Sequence, residues 1–265
     1  MAFHVVIPAR YASTRLPGKP LLDIGGRPMI QRVVEQACAS GADRVVVATD
    51  DARIAAAVHD PRSPGAVIAL MTNPDLPSGT DRAAAVAGKL GWDEATIVVN
   101  VQGDEPFLPP ALIDQVAELL RRDESAGVAT LATPVRSLEE FLDPNVVKVV
   151  TADDGAALYF SRAPIPWTRD GAPEGAGQGQ FGGAMRHVGI YAYRVGALSR
   201  ITGLPPSGLE LREKLEQLRA LASGIRIVVG TCRVPPPPGV DTEKDLARAR
   251  ELAGGQGRES PGGIA

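Results

Sequence analysis

Cysteine and histidine are both scarce in this 265-residue chain, and each shortage excludes something. The two cysteines, Cys38 and Cys232, stand far apart and form no C-x-x-C pair, which excludes a disulfide framework and a dithiol redox centre. They read as small apolar fillers in a reduced compartment. The three histidines show no metal-ligand spacing, which argues against a zinc site. No G-x-x-x-x-G-K-[ST] occurs, so a P-loop kinase is disfavoured, and no G-x-G-x-x-G follows the first apolar run, so a dinucleotide oxidoreductase is too. Charge of one sign is also lacking. With 28 Lys and Arg against 31 Asp and Glu, the net charge is −3, and nothing points to nucleic acid or a membrane surface. No apolar stretch reaches membrane-spanning length and no signal peptide precedes the first strand, so the expected location is the cytoplasm.

What is present is a globular balance, 44% hydrophobic and 22% charged, sufficient for a full core. "FHVVIP" reads as a buried strand, and a basic loop follows it. "PMIQRVVEQACAS" has helical apolar spacing, "RVVVAT" is a second strand, and "ARIAAAVHD" is a short helix. A Pro/Gly turn leads into a third strand in "PRSPGAVIALMT". Then come a helix, "GTDRAAAVAGKLG", a strand, "ATIVVNVQGDEPF", and the amphipathic helix "PALIDQVAELLRRD". This alternation predicts an α/β fold with a mainly parallel sheet. The second half is less regular. "VATLATPV", "VVKVVTADDGAALYFS", "HVGIYAYR" and "IRIVVGTC" read as strands, and "LELREKLEQLRALASG" as one helix. The glycine-rich "DGAPEGAGQGQFGGAM" reads as a mobile flap, residues 170–185. After the polyproline run, a helix begins at an N-cap supplied by Asp241 or Thr242. The expectation is one domain over residues 1–252, with a disordered tail from 253 to 265.

Several segments carry chemistry. In "IPARYASTRLPGKPL", Arg10, Arg15 and Lys19 follow a buried strand, where open α/β sheets bind ligands. They suit a polyphosphate, and equally a solvated basic loop. In "NVQGDEP", Asp104 lies just beyond a strand and can hold Mg²⁺ against a phosphate, although Gly-Asp-Glu-Pro is also good turn chemistry. "SGTDR" offers a helix N-terminus to an anion or base edge, or an ordinary cap from Ser78 or Thr80. His187 and Tyr191 share one face of a strand, and beside Arg186 the histidine is either structural or a carboxylate binder. Glu216 and Arg219 are spaced for a surface ion pair.

Taken in order, "IPARYASTRLPGKPL", "ATD", "SGTDR", "NVQGDEP", "NVVKVV", "LYFSRAPIPW", "RHVGIYAYR", "LEQLR" and "GVDTEKDL" closely resemble the 3-deoxy-manno-octulosonate (Kdo) cytidylyltransferase family, from residue 1 to about residue 252. The resemblance implies a three-layer α/β/α, Rossmann-like nucleotide-diphospho-sugar transferase fold. It implies that CTP and Kdo give CMP-Kdo and pyrophosphate, for lipopolysaccharide biosynthesis, with Mg²⁺ as cofactor and a homodimer as the assembly. It assigns Arg10, Arg15 and Lys19 to the CTP phosphates, and Ser78 and Gly79 to the cytosine. Asp104 and Asp241 become the Mg²⁺ carboxylates, with Arg10, Lys19 and both aspartates catalytic. Gln102, Arg162, His187, Tyr191, Glu216 and Gln217 match positions that bind the sugar acid. The chain departs from the family pattern at Leu76-Pro77, where His-Gln is common. A sialic-acid or 8-amino-Kdo cytidylyltransferase is the nearest alternative. A non-catalytic relative is expected to have lost Lys19, Asp104 or Asp241, and all are present.

Overall fold

The computed structural model describes residues 2–12, 16–58, 67–169 and 181–256. Arg15, flap residues 170–180 and tail residues 257–265 lie outside the described residues. The chain divides into two compact units. The amino-terminal unit comprises His4–Leu90, Asn100–Ala111 and Pro236–Ala265, and the central unit Met1–Phe3, Gly91–Val99 and Leu112–Pro235.

In the amino-terminal unit the apolar runs become parallel strands. β1 (Phe3–Ala9), β2 (Arg44–Thr49) and β3 (Val67–Met71) lie in the order β3-β2-β1. His4 sits opposite Arg44 and Ala9 opposite Thr49, while Val45 pairs with Val67. Val5, Val6 and Ile7 are fully buried, as an unbroken apolar run requires when both sheet faces are covered. The connections are α1 (Met29–Cys38), α2 (Ala52–Ala57) and α3 (Gly79–Leu90), each placed as the periodicity predicts. α1 buries Met29, Ile30, Val33, Val34 and Ala37, one helical stripe. Because the strands are parallel, the loops after β1 and β2 emerge at the same edge. The segment after residue 100 joins them there, through a bond from the Val101 N–H to the Val6 carbonyl, 3.0 Å. The last helix, α9 (Glu243–Gln256), packs Leu246, Ala249 and Ala253 with Val240 against Leu16, Ile24 and Met29. It runs past residue 252, where the sequence predicted the start of the tail, and Ala253 is held in this apolar cluster.

The central unit holds β4 (Ile97–Asn100), α4 (Pro110–Arg122), β5 (Val128–Pro134), α5 (Leu138–Leu142), β6 (Lys148–Thr151), β7 (Ala157–Ser161), β8 (Met185–Arg194), α6 (Val195–Thr202), α7 (Gly208–Glu213), α8 (Gln217–Ala222) and β9 (Ile227–Thr231). Its strands run in the order β4-β8-β5-β9, with β9 parallel and β8 antiparallel to β5. The fold is therefore α/β with a mixed sheet, parallel throughout the amino-terminal unit. Among the described residues no helix is long and apolar enough to cross a membrane.

Three local expectations need correction. "VVKVVTADDGAALYFS" is a hairpin, not one strand. β6 and β7 pair antiparallel, Val149 opposite Phe160, around a turn in which Gly155 has φ +81° and the Ala156 N–H donates to Asp154 Oδ1 at 3.0 Å. Asp-Asp-Gly is turn chemistry strong enough to reverse an apolar run. The predicted single helix at 209–224 is two. Ser207 and Glu210 form a capping box on α7, Lys214 takes a left-handed conformation, and α8 begins at Gln217. Arg219 pairs with Glu210 across the break, Nε to Oε2 at 2.8 Å and Nη2 to Oε1 at 2.5 Å, a partner that helical spacing does not reveal. Cys38, finally, is exposed at the end of α1 rather than a core filler.

Candidate active site

Two glycines allow backbone segments to converge on the end of β1. A Cβ at Gly79 would lie 2.9 Å from Pro8 Cγ, and one at Gly103 would lie 2.8 Å from the Pro8 carbonyl oxygen. Neither position can carry a side chain without moving β1. With these glycines the start of α3 and the "NVQGDEP" loop close around Pro8 and Ala9. The result is a cleft of about 400 Å³, lined by Arg10, Lys19, Pro20, Gly79, Gln102, Asp104 and Asp241 among others. That volume falls in the range of small-molecule sites.

The basic loop delivers Lys19 into this cleft. Leu16 is buried in the apolar cluster under α9, and the Lys19 N–H bonds to the Leu16 carbonyl at 3.1 Å. Gly18 turns the chain with φ +66°, and a Cβ there would meet the Tyr11 ring at 3.3 Å. A single 3-10 turn, Lys19–Leu21, follows, with Pro20 buried. Tyr11 is itself covered by the Arg53 guanidinium, 3.6 Å from its ring centroid. Lys19 Nζ donates to Asp104 Oδ2 at 2.8 Å and to Asp241 Oδ1 at 3.0 Å. Burial alone would lower its pKa, but Coulomb attraction and a hydrogen bond from Asp104, with Asp241 adding to both, raise it. Lys19 therefore stays charged.

Asp104 and Asp241 are 137 positions apart in the sequence. A backbone bond from the Val240 N–H to the Asp104 carbonyl, 2.9 Å, sets them side by side. The bland reading of Asp241 as a helix cap is excluded, because Thr242 does that work. Thr242 Oγ1 accepts from the Asp245 N–H at 3.3 Å, and Asp245 Oδ2 accepts from the Thr242 N–H at 3.0 Å. The side chain of Asp241 is thereby left to face Lys19. Two carboxylates converging on one cation position form a hard-oxygen donor set that fits Mg²⁺, an ion that takes one or two carboxylates and completes its shell with phosphate and water oxygens.

Arg10 Nη2 donates to the Pro77 carbonyl at 2.7 Å, tying the basic loop to the turn before α3. That acceptor is a main-chain carbonyl, which any residue at position 77 would offer; proline there removes only the N–H donor. Ser78 caps α3: its Oγ accepts from the Asp81 N–H at 3.2 Å and donates to Asp81 Oδ2 at 2.7 Å. Its hydroxyl is committed to the helix. Sequence reasoning underweighted the arginine of the same "SGTDR" segment. Arg82 is fully buried, with Nη2 on Asp50 Oδ2 and Nη1 on Thr72 Oγ1, both at 2.6 Å. Asp50, just after β2 and 32 positions before the arginine near the start of α3, was the available signal.

The remaining expected sugar-acid positions lie in the central unit. His187 and Tyr191 are brought together, ring centroids 5.2 Å apart, with Phe160 edge-on to His187 at 5.1 Å and Tyr193 stacked on Tyr191 at 5.7 Å. Two extra residues, Gly189 and Ile190, bulge β8 against β5 between these positions. Thr130 Oγ1 bonds His187 Nε2 at 2.9 Å and donates to the Ile190 carbonyl at 2.7 Å. Burial pushes His187 down to about 3, so the imidazole is neutral, and burial together with Tyr193 and Glu216 raises Tyr191. Glu216 immediately precedes α8, and Gln217 opens it. Arg162 is placed differently from the expectation of a fork held ready for a carboxylate. Its Nε donates to the Glu213 carbonyl at 2.7 Å and Nη1 to the Pro144 carbonyl at 2.9 Å, while its own N–H donates to Glu213 Oε2 at 3.0 Å. Buried Lys148 locks the same region, its Nζ donating to the carbonyls of Asp143, Val146 and Arg162 at 2.9, 2.6 and 2.8 Å.

Comparison with known proteins identifies the family. The family model described as "Cytidylyltransferase" matches residues 4–227. A 3-deoxy-manno-octulosonate cytidylyltransferase of Methylococcus capsulatus is 53% identical over 255 residues, 96% of this chain and 98% of that protein. One from Xanthomonas euvesicatoria pv. vesicatoria is 55% identical over 249 residues, 94% of this chain and 95% of that protein. Among solved structures, CMP:2-keto-3-deoxy-manno-octonic acid synthetase complexed with CTP superposes with a TM-score of 0.85 at 42% identity, covering 97% of this chain and 100% of that one. The Rossmann-like nucleotidyltransferase fold, the cleft at the end of β1 and this full-length similarity lead to one conclusion: the chain belongs to the cytidylyltransferase family, alongside the 3-deoxy-manno-octulosonate cytidylyltransferases.

Proposed function

We propose that this protein is a cytidylyltransferase that activates Kdo with CTP, forming CMP-Kdo and releasing pyrophosphate. The observation that carries the site assignment is the meeting of Lys19, Asp104 and Asp241 in one cleft, in a chain 53% identical to a 3-deoxy-manno-octulosonate cytidylyltransferase over 96% of its length. In the reaction the anomeric hydroxyl of the sugar acid attacks the α-phosphorus, a new C–O–P linkage forms, and the α–β bridging bond breaks as pyrophosphate leaves. Charge then gathers on the equatorial and departing oxygens. Lys19, a cation already present in the cleft before substrate arrives, stabilises that charge. Arg10 fixes the loop from which Lys19 projects to the turn before α3, where Gly79 at the helix start lines the cleft.

Asp104 and Asp241 are the residues that would hold Mg²⁺, which when bound supplies charge neutralisation at the phosphates. Neutral His187 and neutral Tyr191 offer hydrogen bonds to the hydroxyls of a sugar, and Glu216 and Gln217 extend that polar surface. Arg162 acts there by holding the 143–146 and 213–214 segments, with its fork on main-chain carbonyls. A cytoplasmic homodimer is proposed with this activity. Pyrophosphate release on mixing the protein with CTP, Mg²⁺ and each of Kdo, 8-amino-Kdo and sialic acid tests the assignment. Release with Kdo is expected. Release with sialic acid but not Kdo, or with none of the acids, would overturn it.

A further inference from the structure

The point between the two cleft carboxylates is filled by a cation that the chain itself supplies. Lys19 Nζ takes one oxygen from each, Asp104 Oδ2 at 2.8 Å and Asp241 Oδ1 at 3.0 Å. The lysine is the inner partner. Its side chain is 13% exposed, against 35% for Asp104 and 51% for Asp241. Its backbone is fixed on both sides by buried Leu16 and Pro20, yet four methylenes leave the ammonium free to swing. A divalent ion of the magnesium kind needs carboxylate oxygens at about 2.0–2.1 Å. An ammonium at hydrogen-bond distance competes with it for those two oxygens, and two cations so close repel each other. A triphosphate changes the balance, because its oxygens give the ammonium a better partner.

We propose that Lys19 is a resident counter-ion that gates the metal site: the two carboxylates take a divalent cation only once nucleotide phosphates draw the ammonium away. This rests on the reading of Asp104 and Asp241 as the metal carboxylates. It assigns Lys19 a second role besides charge stabilisation. It also sets an order in which bare divalent ions stay out of the cleft, and metal and nucleotide enter together. The same movement carries the ammonium from the carboxylates to the phosphates, where the reaction uses it.

Binding of Mn²⁺, followed by its electron paramagnetic resonance signal and by calorimetry, tests the gate without any turnover. The full-length protein is titrated alone and with α,β-methylene-CTP, as wild type, Lys19→Met, Lys19→Gln and Asp104→Asn. The wild type should bind Mn²⁺ at least about tenfold more tightly with the nucleotide analogue than without it, the loss of one charge-assisted contact to each carboxylate being of that order. Folded Lys19→Met or Lys19→Gln should bind Mn²⁺ without nucleotide at least about tenfold more tightly than wild type does, and should show a smaller response to the analogue. The wild-type comparison needs no variant to fold. Equal Mn²⁺ affinity of wild type and lysine variants in the absence of nucleotide would overturn the gate, while loss of binding in Asp104→Asn would leave the metal site standing. Mn²⁺ binding that is unaffected by Asp104→Asn, or absent even with the analogue, would overturn the metal reading and the gate together.

Discussion

Asp241→Asn separates catalysis from stability more cleanly than any other single change in this chain. The substitution keeps the shape of the side chain and removes its charge. Two losses can be weighed. The first is the ion pair with Lys19, in which the aspartate side chain is 51% exposed. A pair so open to solvent contributes at most about 1 kcal/mol. In a protein of this size that corresponds to a fall in Tm of no more than about 4 °C. Helix α9 should be unaffected, because its cap is made by Thr242 and Asp245. The second loss is a carboxylate opposite the phosphates, and removal of one preorganised charge contact typically lowers kcat by about 10²–10³-fold. The control is Thr242→Val, which removes the cap at about 1 kcal/mol and should leave turnover nearly intact. Pyrophosphate release with saturating CTP and Kdo, beside thermal unfolding of both variants, reads the two effects separately. Full turnover of Asp241→Asn at ordinary Mg²⁺ would refute the catalytic assignment. A Tm loss far above 4 °C with kcat retained would make Asp241 a structural residue.

Two further outcomes concern the scaffold. Arg82→Leu should destabilise the protein by about 3–5 kcal/mol, since it strands the Asp50 carboxylate in a poorly hydrated place, whereas Arg82→Leu with Asp50→Leu should recover much of that loss; urea unfolding of both decides it, and a single-variant loss under about 1 kcal/mol would contradict the burial argument. His187 gives a pH dependence of defined sign. Its folded pKa is pushed down to about 3 by burial, below the unfolded value near 6.5. Above pH 6.5 both states are neutral and the residue contributes no slope; as pH falls from 6.5 toward 3 only the unfolded chain takes up the proton, and stability is lost. Urea midpoints of wild type and His187→Gln at pH 7.5, 6 and 5 should therefore converge or cross as pH falls, and parallel curves would show that the imidazole titrates normally.

The elements of the amino-terminal unit were legible in the sequence because its signals are local. A fully apolar strand such as "FHVVIP", a helical stripe such as Met29 to Ala37 and a Pro/Gly break each declare themselves within about ten residues. The central unit was harder to read where one turn had to be recognised inside a longer periodic run. Asp153-Asp154-Gly155 reverses the chain between β6 and β7, and Lys214 breaks a run whose apolar spacing continues through it. There the competing information was a capping box and an ion pair to Glu210, neither of which alters hydrophobic periodicity.

The sequence by itself determined the residue types of the site and the family, because an ordered series of motifs does not depend on where the chain goes between them. It also determined that the basic loop follows a buried strand, and so lies at a ligand-binding edge. What only the tertiary structure decided was which partner each side chain takes. Asp241 could be a cap or a cleft carboxylate until Thr242 was seen to hold the helix and the Val240 N–H to bind the Asp104 carbonyl. Lys19 was a cation in a loop until it stood between two carboxylates from distant segments. Arg162 was expected to offer its fork to a ligand, and the fold gives that fork main-chain carbonyls of Pro144 and Glu213. The physical reason is common to all of them. A charged side chain close to a core takes the partner that satisfies its hydrogen bonds at least desolvation, and that partner is fixed by segments that meet only when the sheet and its loops are assembled.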